Sequence, residues 1–250
     1  MAKFPYKHGN FTDRVKNSNL GALIESMMGP LEPFSYIELH SGEGIYNIES
    51  GNPYFGSAYM AFLKALGKNS DAHFLLHEID EEKRKKLRKN LEFHKNVRVY
   101  EDWRNNLVFC LESLGNFRGK NTLIVSDPCY MAEHAEVMEI LPHLLLEDAN
   151  LFMYVPENLR ELSDSAVVDK TRSIIKEKTC LGKKAIDLMS PSENGLRIDH
   201  NIVVADYEIM RAVEGNHKAF VLRDSGIVRK LSERELERFS NAFDFTHRIL

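Results

Sequence analysis

The chain has 250 residues, 43% of them hydrophobic and 28% charged, with a net charge of −4. That length supports one large α/β domain with an appendage and needs no covalent staples. No apolar run approaches the ~18 residues that cross a bilayer, which excludes a membrane-spanning helix. Three scattered cysteines, Cys110, Cys129 and Cys180, exclude a disulfide framework or a cysteine-based metal site.

The leader, residues 1–30, predicts a helix over Thr12–Met28 stopped by Gly29-Pro30. It has no apolar signal core, so a cytoplasmic location is expected. From Phe34 to Glu157 short apolar runs alternate with helical stretches, the pattern of a parallel sheet covered by helices. The expected strands are Phe34–Leu39, His73–Glu78, Val97–Tyr100, Thr122–Ser126 and Leu151–Val155. The expected helices are Ser57–Leu66, Glu81–Phe93, Trp103–Leu114, Ala132–Leu145 and Ser163–Lys178. Lys184–Met189 and His200–Ala205 flank the turn-rich Ser190–Gly195 and predict an antiparallel hairpin closing the sheet's edge. Residues 31–206 thus form the main domain. Residues 207–250 form an appendage, with a second hairpin (Ala219–Leu222 with Ile227–Lys230) and a helix begun by the capping box Ser232-Glu233-Arg234-Glu235.

Asp127-Pro128-Cys129-Tyr130 falls where the run Thr122–Ser126 ends. Ligands of open α/β sheets bind at such strand ends. An acid, a proline without a backbone donor and an aromatic together offer acceptors and a stacking face to a planar amine, such as that of a nucleobase. Taken alone, the tetrapeptide reads equally well as a helix-capping turn with a packed tyrosine.

Three other strand ends carry matching chemistry. Gly42 and Gly44 follow the first strand and let backbone approach a ligand, without the third glycine of the dinucleotide fingerprint. Glu78 ends the second strand, where an acid accepts ribose hydroxyls. Asp102 and Trp103 follow the third, where a carboxylate takes an adenine amino group and an indole shields the ring. Singly, Asp102 is a helix cap and Trp103 a core anchor. Four polar strand ends in sequence describe the S-adenosylmethionine pocket of a seven-stranded methyltransferase. The expected fold is therefore an α/β, Rossmann-like class I methyltransferase: a mostly parallel sheet with an antiparallel edge hairpin and helices on both faces.

Over most of residues 6–205 the chain resembles the RlmJ family of large-subunit ribosomal RNA adenine-N6 methyltransferases. Tyr6–Lys16 resembles that family's leader, and His40-Ser41-Gly42-Glu43-Gly44-Ile45-Tyr46 its glycine loop. Gly56-Ser57-Ala58 stands at Gly-Ser-Pro, Asp102-Trp103 at Asp-Gly and Asp127–Tyr130 at Asp-Pro-Pro-Tyr. The resemblance implies that Lys16, His40, Ser57, Glu78 and Asp102 contact S-adenosylmethionine, with Asp127 acting at the amino group. Asn17 stands where the family has a cofactor-site histidine, Trp103 replaces a glycine, and Cys129 replaces the second proline. Only Asn47–Phe55 occupies the place of the family's helical insertion.

These readings converge on methyl transfer to the exocyclic amine of adenine in a nucleic acid, RNA before DNA. Asp127 and Pro128 would be the acceptors and Tyr130 the stacking face. Two alternatives stay open: a methyltransferase for a small molecule or protein, and a non-catalytic binding module of the same fold. Residues 83–89, Lys-Arg-Lys-Lys-Leu-Arg-Lys, read as a solvated helix face or as a phosphate-contacting one. No metal is expected, since His134 and His143 on one helix are not at ligand spacing.

Overall fold

Phe34-Ser-Tyr-Ile-Glu38 forms strand β1 and is buried along its whole length, as a strand covered on both faces must be. The computed structural model describes residues 11–28, 33–47, 53–66, 71–106, 121–127, 136–137, 149–155, 183–191, 198–206, 209 and 221–222. Within them the chain order is α1 (Phe11–Met27), β1 (Phe34–Glu38), β2 (Ile45–Asn47), β3 (Pro53–Phe55), α2 (Ser57–Leu66), β4 (Ala72–His77) and α3 (Glu81–Leu91). There follow β5 (Val97–Tyr100), β6 (Thr122–Ser126), β7 (Asn150–Val155), β8 (Lys183–Pro191), β9 (Ile198–Asp206) and β10 (Val221–Leu222).

The main sheet runs β10-β8-β9-β7-β6-β1-β4-β5. β1, β4, β5, β6 and β7 are parallel, and β9, β8 and β10 are antiparallel. From β1 the chain proceeds outward to β4 and β5, then returns to β1's other side as β6. That reversal opens a crevice at the carboxyl ends of β1 and β6, the position where open α/β sheets bind ligands.

One core joins α1, α2 and α3 to one face of the sheet: Leu20, Leu23 and Ile24, Ala58, Ala61 and Phe62, and Leu87 and Leu91 meet Phe34, Tyr36, Phe74, Leu76 and Leu123. The opposite-facing Ile37, Ile124, Leu151 and Met153 are also buried, so both faces of the sheet's centre are covered. α3 is set by Asp80, whose side chain accepts from the backbone N–H of Glu82 and Lys83 at 3.0 Å each. Acids in its first turn and bases in its last suit the helix dipole.

Two features differ from the sequence reading. The hairpin of β8 and β9 pairs with β7 as expected, yet it does not close the sheet. Val221–Leu222 pairs with Leu188 and Asp187 outside it, so β10 is the edge strand among the described residues. The second difference is a two-stranded ribbon, β2–β3, where only a connection was expected. Its strands of three residues are too short to show alternation in sequence. Of the predicted helices after β5, residues 103–106 and 136–137 are described and helical; their remaining residues, the helix Ser163–Lys178, the run 227–230 and the helix after Ser232 lie outside the described residues.

Candidate functional site

The carboxyl ends of β6, β1, β4 and β5 lie side by side, and each delivers a polar group. Glu38 pairs across to Val125, two residues before Asp127, and His77, beside Glu78, pairs with Tyr100, two before Asp102. Strand order therefore sets Asp127, Glu38, Glu78 and Asp102 in a row.

Glu38 is the buried centre of that row. Tyr36 Oη donates to Glu38 Oε2 at 2.9 Å, and Ser57 Oγ donates to Oε1. Tyr36 and Glu38 share one strand face, two residues apart. Ser57 opens α2, so the contact fastens that helix to the strand end. Burial pushes the Glu38 carboxyl up to about 8, against the opposing pull of the two hydroxyls. Behind it, His77 Nδ1 lies 3.1 Å from the Glu38 carbonyl oxygen, which can only accept, so Nδ1 carries the proton. Burial lowers this histidine to about 4 and keeps it neutral.

Helix α1 lays Lys16 across the crevice. Its ammonium pairs with Asp127 Oδ2, lies 3.7 Å from Asp13 Oδ1 and sits 4.9 Å from the centre of the Tyr154 ring. Asn17, the next residue, faces elsewhere: its Nδ2 donates to Tyr54 Oη at 2.6 Å and to the Phe55 carbonyl at 3.0 Å. It ties α1 to β3, and so to the β2–β3 ribbon.

The glycine loop is held from β4. Ser41 N–H donates to the His77 carbonyl at 2.8 Å, and Gly42 N–H to Glu78 Oε2 at 2.7 Å. Glu78 Oε1 accepts from Asp80 N–H at 2.9 Å. Both carboxylate oxygens are thus engaged by backbone, each with a further lone pair for a ligand. Gly42 and Gly44 have φ of +63° and +79°, a region that side chains disfavour. A Cβ on Gly42 would lie 1.9 Å from Tyr46 Oη, so the tyrosine packs into the loop's concave side.

At the β5 end, Asp102 Oδ1 accepts from Arg104 N–H at 2.9 Å and from its guanidinium at 3.1 Å. Trp103 is buried, edge-on to His40 at 6.3 Å between ring centres, with the Arg104 guanidinium 5.0 Å over its face. Arg104 also pairs with Glu136, bridging the segment after β6 to the end of β5. Pro128, Cys129 and Tyr130 lie outside the described residues. Sequence reasoning did not single out Tyr36, Tyr54, Tyr154, Asp13 or Arg104. Only Tyr36 left a sequence signal, its spacing of two from Glu38.

The basic run on α3 is largely spent on the protein itself. Lys85 pairs with Glu81 and Glu82 at 2.9 and 3.0 Å, Lys86 pairs with Glu43, and Arg88 donates to the Val99 carbonyl at 2.9 Å. Arg84 donates to the carbonyls of Glu78 and Ile79. The solvated-face reading fits this arrangement better than a phosphate-contacting one.

Asn17 Oδ1, Trp103 Nε1 and Ser126 Oγ are buried without a hydrogen-bond partner among the described residues. Such orphans cost about 1–3 kcal/mol each, and a ligand rich in donors and acceptors relieves that cost. The residues at the strand ends therefore fit a nucleoside carrying an amino-acid tail. Among the described residues no cluster of His, Cys, Asp and Glu could hold a metal ion, and no helix is long and apolar enough to cross a membrane.

No protein-family model matches the chain, and no curated relative was found. Solved structures do resemble it. A Legionella pneumophila protein, LPL1258, assigned to the family model DUF519, is 19% identical over 83% of this chain and 92% of its own, with a TM-score of 0.59. A human methyltransferase 10 domain containing protein is 10% identical over 77% of this chain and 83% of its own, with a TM-score of 0.50. At such identities the likeness is one of architecture, and with the strand order above it gives this chain the Rossmann-like fold of class I methyltransferases.

Proposed function

We propose that the chain is an S-adenosylmethionine-dependent methyltransferase that acts on the exocyclic amine of adenine in a nucleic acid. RNA is the preferred class and ribosomal RNA the specific candidate, through the resemblance to the RlmJ family. The observation that carries the reading is the row of Asp127, Glu38, Glu78 and Asp102 on adjacent strand ends beside a positive-φ glycine loop. A likeness of fold to a methyltransferase supports the reaction class.

S-adenosylmethionine, when bound, supplies an electrophilic methyl group on a sulfonium. Glu78 has lone pairs for ribose hydroxyls, held in aim by its two backbone donors. Asp102, oriented through Oδ1 by Arg104, offers Oδ2 to the adenine amino group. His40, Gly42 and Gly44 line the approach between them, and Trp103 closes the adenine end with its unpartnered N–H. Ser57 acts through Glu38, and Asn17 through its tether to β3.

The amine of the acceptor adenine is a poor nucleophile, because its lone pair is delocalised into the ring. Asp127 and the Pro128 carbonyl accept its two N–H bonds and so turn the lone pair toward the methyl group. Tyr130 stacks on a base swung out of its helix. The proton leaves readily once the nitrogen is alkylated, and Asp127 relays it to water.

Asp127→Asn tests this directly. Turnover falls by about 10²-fold or more, while affinity for S-adenosylmethionine stays equal or tightens. Wild-type turnover in the variant removes Asp127 from the role. The self-neutralised face of α3 favours a second reading, methylation of a small molecule. An RNA acceptor binds with steep salt dependence; a small uncharged acceptor does not.

A further inference from the structure

Lys16 holds one oxygen of the carboxylate that the acceptor amine needs. Its ammonium holds Asp127 Oδ2, and its side chain is only 9% exposed. Such a cation cannot simply let go. An ammonium taken from its nearest carboxylate inside a protein stays desolvated and loses its strongest compensation, so breaking the pair outright is costlier than exchanging one carboxylate for another. Asp13, at 3.7 Å, already shares the charge without displacing Asp127. A neutral amine offers no replacement charge and cannot compete with Lys16 for Asp127 Oδ2.

The strand order says where a replacement carboxylate comes from. Asp102 at the end of β5 takes the adenine, and Glu78 at the end of β4 the ribose. The amino-acid tail of the cofactor must then run on along the same row, past the glycine loop toward β1 and β6. That end of the row holds Lys16.

We infer that Lys16 is a positioning residue that exchanges Asp127 for the cofactor's carboxylate, so that both oxygens of the amine-accepting aspartate are open only in the cofactor-loaded protein. The inference rests on the proposed methyltransferase reading. It adds a binding order, cofactor before adenine, enforced by one ammonium. α1 is suited to this work: Lys16 is anchored on a helix packed into the core through Leu20, Leu23 and Ile24, so its reach is short and its two partners must be neighbours.

The test uses two probes that differ only in the carboxylate: S-adenosylhomocysteine and its decarboxylated counterpart, which keeps the ammonium. The full-length protein is saturated with one or the other, so the adenosine subsite is filled in both cases. Binding of a short single-stranded oligoadenylate is then measured by fluorescence anisotropy. The wild type is expected to bind the oligoadenylate at least tenfold more tightly in the S-adenosylhomocysteine complex. Lys16→Met, of similar length and checked for folding by its melting temperature, is expected to bind it equally in both complexes.

Equal binding in the two wild-type complexes overturns the exchange, as does a preference that survives in Lys16→Met. The wild-type comparison stands even if the variant does not fold. Absence of oligoadenylate binding from every complex is a different failure: it removes the adenine-acceptor reading, and this inference with it.

Discussion

Glu38 and His77 are buried titratable groups back to back, and they pull stability in opposite directions with pH. Glu38 keeps its proton in the fold up to about 8 but loses it near 4.5 when unfolded, so its contribution is complete below 4.5 and is lost as pH rises toward 8. His77 is held neutral down to about 4 against 6.5 unfolded, so its contribution is present above 6.5 and is lost as pH falls below it. The two offset each other between about 4.5 and 6.5. Above 6.5 only Glu38 acts, and urea denaturation is expected to give a stability lower at pH 8 than at pH 6.5 by up to about 2 kcal/mol. Glu38→Gln should remove most of that difference; a slope unchanged in the variant assigns it to another group. Trp103 gives a second test at this scale, because it is the sole tryptophan. Saturable change in its emission on titration with S-adenosylhomocysteine is expected, and a flat titration contradicts a cofactor site beside it. The acids at strand ends were legible in sequence because they follow apolar runs. The Lys16–Asp127 pair was not, since its members are 111 positions apart and no periodicity links them. Asn17 stood at a cofactor-site position in sequence, and its donors go instead to β3.

Elements differ in how far their sequences declare them. β5, β6 and α2 fall on the residues expected, because each is bounded by breaking residues and has a clear apolar period. α3 is declared by its cap, and Asp80→Ala is expected to cost about 1 kcal/mol in chemical denaturation. The β2–β3 ribbon declares itself poorly, yet it shapes the site: its Tyr46 fills the glycine loop and its Tyr54 accepts from Asn17. Gly42→Ala would force a side chain into φ of +63° and against the Tyr46 hydroxyl, for a loss of about 1–3 kcal/mol or more. Adding Tyr46→Phe to Gly42→Ala is expected to recover part of that loss. A double variant no more stable than Gly42→Ala shows that backbone strain alone sets the cost.

At the scale of the whole molecule, the order of parallel strands around β1 turns four scattered polar residues into one row and opens a crevice at β1 and β6. The order itself came from the structure, but the parallel sheet behind it was legible because short apolar runs alternate with helical stretches. The sheet's outer edge was not, since a strand of two residues, β10, carries no pattern of its own. The acceptor is written less plainly than the fold. The net charge is negative, and the basic helix spends most of its cations on acids and carbonyls of the chain itself. The decisive measurement is to incubate the protein with methyl-labelled S-adenosylmethionine and separate pools of ribosomal RNA, transfer RNA and DNA, then digest each to nucleosides. The label is expected in N6-methyladenosine from RNA, ribosomal RNA first. Label on another nucleoside, or in none of the three pools, contradicts the assignment.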